Sequence, residues 1–236
     1  MQASSALLHR VVDAYGGAAR WSAIRRIALR VSAHGLAFRM KWRAPMVRVR
    51  AEIDVHQPLV RFFPEKGDGL VEVFAGNEVR LEDRDGGVVE TRSNPGHFFP
   101  GGRRLFWWDR LDQIYFAGYA LWNYVTFPAL LAREDIDWKD NGASTLLAHF
   151  PTGFPTHSPV QEFHVDPKTA LLTQHDYTAG VFGGWAKGAH RVLAHERVDG
   201  VAFGTRRRVT PRRKDGKPTP FPLLVGIEFD EIVLDP

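Results

Sequence analysis

Val47-Arg48-Val49-Arg50-Ala51-Glu52-Ile53-Asp54-Val55 alternates apolar and charged residues without a break over nine positions. Side chains of a strand point to opposite faces in turn, so one side of this segment seeks a core and the other seeks water. Ile27-Ala28-Leu29-Arg30-Val31-Ser32-Ala33-His34 on its N-terminal side behaves the same way. On its C-terminal side Leu59–Phe63, Leu70–Phe74 and Val79–Glu82 follow as short strands. The turns between them are Pro64-Glu65-Lys66-Gly67-Asp68-Gly69, Ala75-Gly76-Asn77 and Asp83-Arg84-Asp85-Gly86-Gly87, rich in the residues that reverse a chain. Parallel neighbours need crossovers of about a dozen residues, so short strands with short turns predict an antiparallel meander.

Before this meander the period is helical. Residues 4–15 space Leu7, Leu8, Val11, Val12 and Tyr15 for one helix stopped by Gly16-Gly17, and a second short helix is expected over 18–24. The middle of the chain is helical too. From Arg103 to Glu134 there is no Gly/Pro turn cluster, and Leu105, Trp108, Leu111, Tyr115, Tyr119, Trp122 and Phe127 recur every third or fourth residue. One or two helices are expected there, ending near Pro128 or by Glu134. Strands then resume at Thr145–Phe150, Val160–Val165, Leu171–Tyr177, Lys187–Arg197, Val201–Val209 and Leu223–Leu234.

No linker, repeat or low-complexity tract divides the 236 residues, so one mainly β (α+β) domain is expected over 1–236. Its parts are N-terminal helices in 1–24, first strands in 25–102, a helical lid or plug in 103–134 and the remaining strands in 135–236. About eleven antiparallel strands in one domain curl into a large curved sheet or unclosed barrel.

Composition removes several function classes. Cys is absent, which excludes disulfides, thiolate nucleophiles and Cys-ligated zinc. No window approaches the roughly 20 apolar residues of a spanning helix, so no integral membrane contact is expected. The start has no charged region followed by an apolar one, so the reading is cytoplasmic, or periplasmic if a leader has been trimmed away. There is no GxxxxGK[ST], no GxGxxG after a strand, no GxSxG and no HExxH. No HxH or HxxxH pair stands out either, and neither a metal nor another cofactor is expected.

The net charge of +4 is local: Arg206, Arg207, Arg208, Arg212, Arg213 and Lys214 account for more than all of it. Without interleaved aromatic residues this run reads as a solvated strand end rather than a nucleic-acid site. Arg207 alternates with Arg206 and Arg208, however, so one face of that strand must be decided against the interior. A single inward Arg would suit a carboxylate or headgroup.

The aromatic segment is the most informative positive feature. Phe99, Trp107, Trp108, Tyr115, Tyr119, Trp122 and Phe127 put rings on more than one helical face. A helix covering a filled core needs one apolar stripe, so a second apolar surface is implied. That surface is either the lining of a hydrophobic cavity or ordinary core. Among the histidines, His190 shares a strand face with Val192 and Ala194, and His175 shares one with Tyr177. These three residues are the acid–base candidates if chemistry takes place; an inward His satisfied by core partners is the plainer reading.

Three stretches carry a resemblance. They are Val12-Asp13-Ala14-Tyr15-Gly16-Gly17 with Trp21, the hairpin from Glu162 to Leu172 through Asp166-Pro167-Lys168-Thr169, and Asp199-Gly200-Val201-Ala202-Phe203-Gly204-Thr205-Arg206. In these the chain resembles the periplasmic lipoprotein carriers and their relatives. The resemblance implies an unclosed antiparallel β-barrel, a helical lid and a hydrophobic cavity. The function expected is binding of a hydrophobic small molecule or lipid. The alternative is a cofactor-independent tailoring enzyme acting on a hydrophobic metabolite in the same cavity.

Overall fold

The computed structural model describes residues 6–235. Helices α1 (Ala6–Ala14) and α2 (Ala18–Ala23) lead into β1 (Arg26–His34), and the one-turn α3 (Leu36–Met40) leads into β2 (Met46–Asp54). Residues 4 and 5 of the first expected helix lie outside the described residues. A meander follows: β3 (Leu59–Phe63), β4 (Val71–Ala75), β5 (Glu78–Glu82) and β6 (Val88–Ser93). After α4 (Arg110–Leu130) come β7 (Asp137–Asp140), β8 (Thr145–His149), β9 (Val160–Val165), β10 (Leu172–Thr178), β11 (Lys187–Val198), β12 (Val201–Pro211) and β13 (Val225–Asp235).

All thirteen strands form one antiparallel sheet in the order β6-β5-β4-β3-β2-β1-β13-β12-β11-β10-β9-β8-β7. The sheet is therefore two meanders zipped together by β1 and β13, with β6 and β7 left as unpaired edges. Both edges escaped the sequence reading, which expected about eleven strands. The physical reason is burial: β6 exposes nearly every residue and β7 buries none fully, so neither carries an alternating pattern.

The alternation in β1 is obeyed, with Ile27, Leu29, Val31 and Ala33 all buried. In β2 it is obeyed only in part. Ala51 and Ile53 point inward, but a bulge between the pairs Val31–Val49 and Ala33–Met46 adds one residue to β2. Arg48 takes up the kink at φ 47°. Beyond it Met46 packs on the core, and Val47, expected inside, is left 72% exposed.

α4 determines how far the sheet curls. Thirteen strands about 4.8 Å apart would spread flat edges about 58 Å from each other, whereas 21 helical residues span about 31 Å. Yet the helix start is tied to β6 through Arg92 Nη1, 2.7 Å from Asp112, and its end to β7 through Trp138 Nε1, 3.2 Å from Leu130 O. The sheet must therefore wrap around the helix. Accordingly 16 of its 21 residues are buried, which explains rings on every face: α4 is a plug along the concave side. Gly118 permits the closest approach, since a Cβ there would lie 2.3 Å from Phe74 Cβ.

The N-terminus of α4 is capped by a reciprocal pair, Asp109 accepting from the Asp112 backbone and Asp112 from that of Asp109. Fully buried Asp112 also accepts from Arg92, Arg103 and Arg104. Pro128 lies inside the helix near its end. Its missing N–H frees the carbonyl of Tyr124, four residues back.

Candidate functional site

A two-lobed apolar cavity opens at the end of the sheet that carries α3. The inner lobe, about 50 Å3, lies between α4 and the sheet, against Ala33, Phe62, Ala120 and Tyr124. The outer lobe, about 200 Å3, is bounded by Ala37, Met40, Phe182, Trp185, Val209 and Leu224. Phe116, Tyr177 and Val225 line both. The wall facing solvent is the hairpin between β10 and β11, which brings Phe182 onto the rings of Trp108 (5.0 Å) and Phe116 (5.6 Å). Buried Lys41 pins the neighbouring segment, donating to the carbonyls of Arg104 (2.8 Å) and Leu105 (2.7 Å).

Polar groups converge on the floor of this cavity. His157 Nε2 lies 2.6 Å from Tyr124 Oη and its Nδ1 3.2 Å from Tyr119 Oη, while Tyr124 Oη is 3.0 Å from Tyr177 Oη. The His157 and Tyr177 rings stack at 3.8 Å. Two proton arrangements satisfy this chain. In one, His157 donates from Nε2 and the hydroxyl hydrogens run Tyr124 to Tyr177, leaving the Tyr177 O–H to donate outward. In the other the order reverses and Tyr177 Oη offers an acceptor to the cavity. Either way Tyr177 presents an open valence, and it is the polar residue that lines both lobes.

Behind this floor lie the other inward polar groups. His175 Nε2 is 2.6 Å from Gln161 Oε1. His190 is wholly buried, edge-on to Tyr124 at 4.4 Å, and neither of its ring nitrogens has a hydrogen-bond partner among the described residues. Arg207 is inward and buried, with Arg206 and Arg208 exposed on the other face. Among the described residues it makes no ion pair. It donates instead from Nη2 to Tyr124 O (3.0 Å) and from Nε to Gly204 O (2.9 Å), with its guanidinium 5.3 Å from the Tyr124 ring. The carbonyl it fills is the one Pro128 left free.

Burial decides the charge states. It drives the His157 imidazole down to about 3, and His175 and His190 well below the ordinary imidazole range, with nearby Arg207 adding to the last two. It pushes the Tyr124 and Tyr177 phenols well up. At neutral pH the floor is therefore a set of uncharged hydrogen-bonding groups over a single buried guanidinium.

The structure brings His175, Tyr177, His190 and Arg207 into one cluster, and Tyr119 joins it through His157. Trp108 packs under Lys41, and Tyr115, stacked on Phe99 at 5.6 Å, borders a separate open groove. Trp122 and Phe127 are core residues, Trp122 donating to Asp54 O (3.0 Å) and Phe127 stacking on Phe163 at 5.0 Å. Trp107 is 44% exposed. None of Phe99, Trp107, Trp108, Tyr115, Trp122 and Phe127 lines either lobe. Sequence reasoning missed His157 because it sits in the loop Pro151–Pro159, which has no period; Phe116 and Tyr124 lie in the aromatic segment but were not singled out.

On the convex face Glu162, His164 and Asp176 bring possible metal-ligating atoms within 4.8 Å of one another. Arg212 occupies that position, 3.3 Å from Asp176 and 3.7 Å from Glu162, and His164 Nε2 is 3.1 Å from Asp176. Arg212 thus already offsets one of the two carboxylate charges from within the cluster.

No protein-family model matches this chain, and no curated protein matches it. Its fold is similar to that of a solved LolA superfamily protein. A LolA superfamily protein from Nitrosomonas europaea aligns over 100% of this chain and 95% of its own, at a TM-score of 0.53 and 8% identity. An outer membrane lipoprotein-sorting protein domain from Vibrio parahaemolyticus aligns over 97% and 90%, with a TM-score of 0.48 and 10% identity. At 8% identity the likeness to the Nitrosomonas protein is one of fold. No described helix is long and apolar enough to cross a membrane.

Proposed function

We propose that the protein binds a hydrophobic small molecule, or one acyl segment of a lipid, in the two-lobed cavity and orients it by a hydrogen bond to Tyr177. The observation that carries this reading is the cavity itself, a largely apolar space between α4 and the sheet with an open valence of Tyr177 at its floor. An engineered apolar cavity of about 150 Å3 holds benzene. The two lobes therefore suit a ligand one ring or a few methylenes larger, and a bulkier one requires the β10–β11 hairpin to swing outward.

An enzyme on the same scaffold would draw on Tyr177, His175 or His190. General acid–base groups work best when they titrate near the operating pH, and burial moves all three far from neutrality. Binding is thus the better-supported reading.

Native mass spectrometry of the freshly purified protein, with solvent extraction of what it releases, tests the proposal. A stoichiometric apolar ligand is expected, lost in Val225→Trp, which fills the junction of the lobes. Tyr177→Phe removes one hydrogen bond worth about 0.5–1.5 kcal/mol, so affinity should fall roughly two- to twelvefold with the ligand class unchanged. A clean apo mass, together with equal uptake of an apolar fluorescent probe by wild type and Val225→Trp, would defeat the reading.

A further inference from the structure

The end of the sheet where the cavity opens is also where the molecule exposes its large aromatic residues. Trp42, Phe106, Trp185 and Phe221 are 71–78% exposed, beside half-exposed Met40 and Trp107. They come from four separate segments that the fold brings to one end. The Lys41 backbone carbonyl accepts from the Trp108 amide, joining α3 to the 102–108 segment, and Leu223 and Leu224 accept from Leu36 and Ala37. The opposite end holds α1 and α2 and has no such rim among the described residues. Single exposed apolar residues are ordinary, but a cluster of this kind marks a contact surface.

Charge says what the surface contacts. The segments bounding the mouth, 35–45, 179–187 and 211–224, hold eight basic residues and one acidic residue. The whole chain carries only +4, so the remainder is net negative. Arg39, Lys187, Lys214 and Lys217 are exposed or partly exposed there and make no ion pair among the described residues. Trp and Phe side chains settle at the headgroup level of a bilayer, and Lys and Arg beside them are drawn by anionic lipid.

We propose that this end docks on an anionic lipid bilayer, with the aromatic rim at the headgroup level and the cavity mouth facing the membrane. The surface contributes by adding up small terms over one rim rather than by a spanning element. Docking deepens the ligand reading by giving an apolar ligand a route from bilayer to cavity without crossing water, but it does not depend on that reading.

Co-sedimentation of the full chain with vesicles of phosphatidylcholine alone, and of phosphatidylcholine mixed with phosphatidylglycerol, tests the proposal. Binding is expected to the mixed vesicles only, with a blue shift of tryptophan emission. It should be lost in about 1 M NaCl, where the screening length is about 3 Å. Trp42→Ser/Phe106→Ser/Phe221→Ser changes residues that line neither lobe, so it should keep the melting temperature while lowering vesicle partitioning at least tenfold. Lys214→Glu and Lys217→Glu should each lower it about fivefold or more. Absent binding, equal binding to both vesicle types, or unchanged partitioning of the triple variant would overturn the proposal. So would a concentration-dependent dimer, seen without vesicles and abolished by the triple variant, since the rim would then be a contact between copies. Vesicle binding is read without a cavity ligand, so its failure leaves the ligand-binding reading standing.

Discussion

Replacing Arg207 by methionine keeps most of the apolar stem and removes the guanidinium that donates to Tyr124 O and Gly204 O. The Tyr124 carbonyl is then a buried acceptor without a partner, because residue 128, which would normally supply the helical N–H, is proline. Orphaning such a group costs about 1–3 kcal/mol, and the lost contact with the Tyr124 ring adds about 0.5–2 kcal/mol. Relief of the desolvated charge offsets part of this, leaving a net loss of about 2 kcal/mol. For a chain of this length that lowers the melting temperature by about 4–8 °C. Pro128→Ala restores the N–H, so Arg207→Met should cost about 1–2 kcal/mol less in that background than in wild type. Urea unfolding of the four proteins, followed by tryptophan fluorescence, measures this coupling. If the two changes add to within about 0.5 kcal/mol, the usual scatter for independent sites, then Arg207 does not substitute for the missing helical bond. The account of its inward placement then fails.

Gly118→Ala would favour an ordinary helix by about 1 kcal/mol, but here its Cβ meets Phe74. Overpacking should reverse the sign to a loss of about 1–3 kcal/mol in chemical denaturation. His190→Phe replaces a partnerless buried imidazole by a ring of similar shape, so stability should hold or rise; a loss above about 1 kcal/mol would reveal a hidden partner. His157 titrates at about 3 in the folded chain and near 6.5 when unfolded, so below pH 6.5 the unfolded state binds the extra proton and stability falls with pH until about 3. His175 and His190 shift in the same direction. His157 alone should cost roughly 2 kcal/mol at pH 5, with His175 and His190 adding in the same direction, read as a fall of urea midpoint between pH 6.5 and 5. A flat profile there would mean these imidazoles are already charged or solvated.

The strands whose inner face meets α4 were legible from residues alone, because burial on one side only forces the period of two seen in β1 and most of β2. The aromatic segment was legible as a helix for a similar reason, and its rings on several faces already required surroundings on several sides. What surrounds it was not. The edge strands β6 and β7 have no second neighbour and little to bury, so no pattern selects for them, and the bulge at Arg48 reverses the face of Val47 through backbone geometry that composition does not encode. Alternation placed Arg207 opposite Arg206 and Arg208 but could not say which side was in. That was decided by α4, whose Pro128 leaves one carbonyl open on the concave side. The cavity floor depends most on tertiary structure. His157 lies in an aperiodic loop, and it meets Tyr119, Tyr124 and Tyr177 only because the sheet, in wrapping the helix, carries β10 and that loop to the same face of α4.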